Sequence, residues 1–276
     1  MSVIDDLFRR LRREGRKAFI PFVTAGDPNL EFTARLIREL GALGADLIEI
    51  GFPYSDPIAD GPIIQASYTR ALNQGIRLDD VFAMIASCRN DVPSPLVGMV
   101  SYSLIYRRSP DEFIQRARSS GLSGLIVPDL PAEEAEDFAQ RMDQEGLSPI
   151  LLVAPTTPPN RLDKILKVAR GFLYCMSVTG ITGERDRLPS HLQDYLGGLR
   201  RHTELPLCVG FGVSRPEHAA LLRDWADGVI VGSAIVRRLE SADTHPAEAL
   251  LEVRKLVESL MAALNPESSL TTAHPK

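Results

Sequence analysis

Glu49 is a carboxylate inside an apolar run. In Ala45–Gly51 (ADLIEIG) it stands between Ile48 and Ile50, and a short run of this kind reads as a buried strand. Side chains alternate across a strand, so Glu49 shares a face with Leu47, and Ile48 and Ile50 share the other. If the isoleucine face packs on helices, Glu49 points into the mouth of a barrel. Burial there would raise its pKa and suit it to shuttling protons. The competing reading is an acid held by a salt bridge at a strand end. The next loop, Gly51–Pro62, carries three prolines and two more acids, Asp56 and Asp60. A stiff loop can hold a carboxylate at a fixed distance from Glu49, and two acids in different surroundings can divide acid and base work. Asp before Pro or Gly also caps turns, and the spacing alone leaves both readings open.

A second group of residues suits an anion. Gly210-Phe-Gly212 follows one apolar run, and Gly232-Ser233 follows the next and opens a short helix. Glycines let backbone N–H groups approach phosphate oxygens, and Ser233 adds a hydroxyl. Gly180-Ile-Thr-Gly183 could close the same site. Each alone is an ordinary turn; the three loops together suit the phosphate position of a barrel. From Gly183 to about Leu196 the chain is long for a loop and polar at first, the profile of a lid over substrate. Phe22, Tyr102 and Tyr174 fall at strand ends and could rim an apolar pocket, though core packing explains any one of them. Trp225 reads as a packing residue on a helix.

These residues need strands and helices to carry them. Apolar runs at Ala18–Ala25, Ala45–Gly51, Pro95–Val100, Gly124–Val127, Pro149–Val153, Gly171–Ser177, Pro206–Gly210 and Asp227–Val231 read as eight strands. Most start about 20–35 residues apart, the length of one βα unit. A wider gap after the second strand holds two helical stretches, Ile63–Leu72 and Leu78–Cys88. Asp27-Pro28 reads as a helix cap followed by Pro at the first helical position. Ser109–Glu112 and Ser214–Glu217 read as capping boxes. Ile4, Leu7, Phe8 and Leu11 put an apolar stripe on a helix ahead of the first strand. A doubly wound sheet would carry a glycine fingerprint after its first strand; here that strand ends in TAGDP. The pattern favours a single (β/α)8 TIM barrel with an extra N-terminal helix, over residues 1–265, and a polar, frayed tail over 266–276.

Composition narrows the partners. The 276 residues include 31 Lys+Arg against 36 Asp+Glu, a net charge of −5. No basic surplus offers itself to duplex nucleic acid. Three scattered cysteines suggest neither a disulfide framework nor a zinc knuckle and fit a reducing cytoplasm. The first residues lack a secretory pattern, and no apolar run spans a bilayer. The zinc-protease, P-loop and nucleophile-elbow motifs are missing, and the five histidines never stand at ligand spacing. No metal is expected.

Taken in order, FIPFVTAGDP, ADLIEIGFPYSDPIADGPIIQ, VPDLP, YCMSVTGITG, VGFGVS and ADGVIVGSAIV make the chain resemble the tryptophan synthase alpha chain family, from about Phe19 to Val236. The resemblance implies a (β/α)8 lyase that cleaves indole-3-glycerol phosphate to indole and glyceraldehyde 3-phosphate. It makes Glu49 the acid/base at indole C3 and the neighbouring hydroxyl, Asp60 the acceptor of the indole N–H, and Tyr174 a positioning neighbour. Gly183, Gly212, Gly232 and Ser233 would hold phosphate, and Phe22 and Tyr102 would border the indole. It also implies an α2β2 complex in which the beta chain carries pyridoxal phosphate and receives indole, with Pro53 and Asp56 facing that partner and no cofactor in this chain. A lyase working alone and releasing free indole is the alternative. A catalytic lysine or metal-ligand histidines would mark related phosphate-binding barrels, and the expected strand ends carry neither.

Overall fold

The computed structural model describes residues 2–57, 60–177, 191–210 and 212–266. Helix α1 (Val3–Glu14) is followed by β1 (Ala18–Thr24), α2 (Leu30–Ala42), β2 (Ile48–Gly51), α3 (Pro62–Asn73) and α4 (Leu78–Cys88). Then come β3 (Leu96–Met99), α5 (Tyr102–Arg108), α6 (Pro110–Ser120), β4 (Leu122–Ile126), α7 (Ala135–Gln144), β5 (Ser148–Val153) and α8 (Pro159–Val168). The last units are β6 (Leu173–Met176), α9 (Leu192–Arg200), β7 (Leu207–Gly210), α10 (Pro216–Leu222), β8 (Gly228–Val231), α11 (Ser233–Arg238) and α12 (Pro246–Leu264). The strands pair in sequence order, all parallel, and β8 closes on β1. This is the expected TIM barrel.

Two cores follow from strand alternation. Val23, Ile48, Ile50, Leu125, Cys175 and Val209 face outward and pack on the helices. Ile20, Phe22, Leu47, Val97, Met99, Ile126, Ile150, Tyr174 and Ile230 face inward. The isoleucines beside Glu49 therefore pack outward, and Glu49 sits on the inner face. The stripe of α1 joins the inner core: Ile4, Leu7, Phe8 and Leu11 are buried, and the Phe8 ring lies 5.7 Å from that of Phe172. Burial contributes roughly 1.5–3 kcal/mol for each such side chain before ordering costs. The helix is fixed at its start by a reciprocal cap between Ser2 and Asp5. It seals the N-terminal end of the barrel.

Several local expectations differ from the structure, at Asp27 because a tertiary partner claims the residue. Asp27 caps no helix: its carboxylate is buried and takes a fork of hydrogen bonds from Arg70 Nε (2.9 Å) and Nη2 (2.6 Å). Asn29 caps α2 instead, accepting from the Phe32 amide. Ser109 sits at φ 81° between α5 and α6 and makes no side-chain cap bond, and Arg108 takes the Glu112 carboxylate. Arg215, not Ser214, is the residue ahead of α10, and the Ser214 amide donates to His218 Nδ1. Trp225 lies in the turn after α10 and packs against the outer core. Among the described residues no helix is long and apolar enough to cross a membrane.

Candidate active site

Glu49 and Phe22 are register partners on β2 and β1, and Glu49 pairs with Val97 on the other side. Tyr174 stands across the barrel on β6, in register with Leu152 and Cys208. Two glycines make room for these rings. A Cβ on Gly210 would come within 2.5 Å of the Tyr174 hydroxyl, and one on Gly51 would collide with the Phe22 ring and lie 2.8 Å from the Tyr68 hydroxyl. At the C-terminal ends of the strands the walls enclose a cavity of about 170 Å³. Phe22, Glu49, Asp60, Tyr174, Gly212, Gly232 and Ser233 all line it.

The sequence reading did not single out several other lining residues: Tyr54, Ile64, Tyr68, Met99, Leu152 and Met176. Alternation could have found three of them, since Met99, Leu152 and Met176 each follow an inward residue by two positions. Ile64 and Tyr68 are four apart, on one face of α3. That helix is tied to the barrel by a buried 2.6 Å hydrogen bond between Thr24 and Ser67.

Tyr102 is not among the lining residues. The third strand ends at Met99, and Tyr102 opens α5, where its ring meets Phe138 edge-on at 5.9 Å. Pro53 is buried, while Asp56 is exposed and accepts a hydrogen bond from Ser55. Gly183, with the rest of the GITG segment and Arg185 and Arg187, lies outside the described residues. The same holds for most of the expected lid; its last residues belong to α9.

The electrostatics separate the two acids. Glu49 has no solvent exposure, and among the described residues neither carboxylate oxygen meets a hydrogen-bond partner. Loss of solvation pushes its pKa up to about 8, and the charge of Asp60 adds to the rise. Burial alone pushes Asp60 up to about 6. At neutral pH the cavity thus holds a protonated Glu49 beside an ionised Asp60. Such a pair can donate a proton at one point and stabilise positive charge at another. Tyr174 and Tyr68 are raised well above the usual phenol value, by burial first and the acids second, and stay neutral. Among the described residues, no group of three His, Cys, Asp or Glu side chains is placed to hold a metal ion.

A protein-family model described as tryptophan synthase alpha chain matches residues 8–265. The chain belongs to the tryptophan synthase alpha chain family. A relative of that name from Microcystis aeruginosa is 46% identical over 265 residues, covering 96% of this chain and 100% of its own. Another, from Rhodopirellula baltica, is 50% identical over 245 residues and 88% of each chain. Among solved structures, tryptophan synthase subunit alpha from Legionella pneumophila superposes with a TM-score of 0.89 at 35% identity, over 97% of this chain and 100% of that one. A chain of tryptophan synthase from Mycobacterium tuberculosis gives 0.87 at 33% identity, over 95% and 98%. The family's barrel accounts for the cavity's place at the carboxyl ends of the strands.

Proposed function

We propose that this chain is the alpha subunit of tryptophan synthase and cleaves indole-3-glycerol phosphate to indole and glyceraldehyde 3-phosphate. The observation that carries this reading is the pair of acids: a fully buried, protonated Glu49 and an ionised Asp60 in one apolar cavity. Retro-aldol cleavage needs a proton delivered to indole C3. It then needs the proton taken from the hydroxyl on the attached carbon. The C3–C bond breaks, its electron pair restores the aromatic ring, and the oxygen is left as the aldehyde of glyceraldehyde 3-phosphate.

Glu49 carries the proton that C3 requires, and its carboxylate, once emptied, can take the hydroxyl proton. Asp60 accepts the ring N–H and stabilises the positive charge that protonation places on the ring. Tyr174 is neutral and in Glu49's field, and serves to position Glu49 and substrate. Phe22 borders the indole. Gly212, Gly232 and Ser233 receive the phosphate, since the first amides of α11 have no acceptor within the helix; Gly183 joins them by family resemblance. Tyr102 joins Phe22 at the indole by family resemblance.

The working form is an α2β2 complex with a beta chain that carries pyridoxal phosphate and consumes indole. Pro53 and Asp56 belong to the face toward it, and this chain needs no cofactor of its own. Residues 1–265 form the catalytic domain, followed by a polar tail, and the protein works in the cytoplasm. The test is an indole-release assay with indole-3-glycerol phosphate, with and without a beta chain. Release that rises with the partner is expected. No indole in either case refutes the activity, and release indifferent to the partner favours a lyase working alone.

A further inference from the structure

Asp60 stands two residues ahead of α3. The residue before α3 is Gly61, which makes no side-chain cap bond, and α3 opens with Pro62, which has no amide hydrogen. One side chain reaches back from the helix. Gln65 Nε2 donates to the Asp60 carbonyl at 2.7 Å and to the Pro57 carbonyl at 3.2 Å. The Asp60 amide donates to the same Pro57 carbonyl at 3.1 Å, and the Gln65 amide to Gly61 O at 3.0 Å. The Gln65 side chain thus ties the Pro57 and Asp60 carbonyls to the helix. That helix is itself fixed to β1 through Thr24–Ser67 and through the Arg70–Asp27 fork.

We infer that Gln65 is a positioning residue that sets where the Asp60 carboxylate stands over the cavity. The inference rests on the proposed lyase reading, because its readout is cleavage. Gln65 is not among the residues that line the cavity, so it acts through Asp60 and leaves the phosphate end of the site alone. Among the described residues, the titratable groups facing Glu49 are Asp60 from the loop, Tyr68 from α3 and Tyr174 from β6. Of these, Asp60 carries charge at neutral pH, and its carbonyl is the one that accepts from Gln65. Retreat of that charge lets Glu49 titrate at lower pH.

The test uses the full chain with its beta partner and indole-3-glycerol phosphate. Gln65→Met keeps the volume and removes the donor; Gln65→Glu keeps the shape and swaps the donor for an acceptor. We expect kcat to fall about tenfold in Gln65→Met, the worth of one or two neutral hydrogen bonds, and further in Gln65→Glu. KM should stay within about twofold, and the basic limb of the pH profile should move down. In an Asp60→Asn background, Gln65→Met should cost no more than about twofold, since its route of action is gone. An equal loss in both backgrounds, or a raised KM with unchanged kcat, overturns the inference. If Gln65→Met does not fold, Gln65→Glu carries the same comparison. Lack of cleavage by the unsubstituted chain refutes the lyase reading instead, which separates the two failures.

Discussion

Replacing Glu49 with Gln should abolish cleavage and at the same time stabilise the fold, increasingly so as pH rises. The folded chain holds the Glu49 proton up to about pH 8, whereas the unfolded chain releases it near 4.5. Between those values the native state binds the extra proton, so stability falls with rising pH by about 1.4 kcal/mol per pH unit. The loss is complete above pH 8, at about 5 kcal/mol. Gln has no proton to release. Its buried amide has a cost of its own, but that cost does not change with pH. Asp60 is raised by burial alone, so its contribution is common to both chains and cancels. The stability difference between Glu49→Gln and the unsubstituted chain should therefore widen by about 4 kcal/mol from pH 5 to pH 9. Urea unfolding at pH 5, 7 and 9, followed by circular dichroism, measures it. Parallel stability curves would show that Glu49 ionises in the fold as it does in water. The assignment of a protonated acid at neutral pH would then be wrong.

Two further outcomes follow from the same geometry. Asp60→Asn should lower kcat by about 10²–10⁴-fold, with KM little changed, in a steady-state indole assay. Arg70→Met should destabilise the fold by about 3 kcal/mol, because it leaves the Asp27 carboxylate buried without its partner. Asp27→Asn added to that variant should recover part of the loss in urea unfolding; a double variant less stable than Arg70→Met alone would count against a charge penalty.

The placement of Glu49 was legible because one rule decides it: Ile48 and Ile50 needed a helix-packed face, and the period of a strand sent Glu49 the other way. The eight strands were legible as short apolar runs, and the α1 stripe as helical spacing. Asp27 was misread because a local rule, Asp before Pro at a helix start, lost to a partner 43 residues away on α3. The third strand stops at Met99, so Tyr102 opens a helix instead of ending a strand. Gln65 carried no signal of its own: a glutamine in the first turns of a helix is ordinary until the carbonyls behind it are known.

The seal that α1 makes across the barrel floor has a consequence for traffic. Beneath Glu49 lie Ile20, Leu47, Val97, Ile126, Ile150 and Ile230, and then the α1 side chains. Among the described residues the floor of the barrel is packed, and the cavity lies at the rim where the acids stand. Traffic through the floor is closed off, so substrate and products pass on the rim side. Whatever sits on the rim sets the order of entry and departure, and turnover becomes a property of the rim as much as of the two carboxylates.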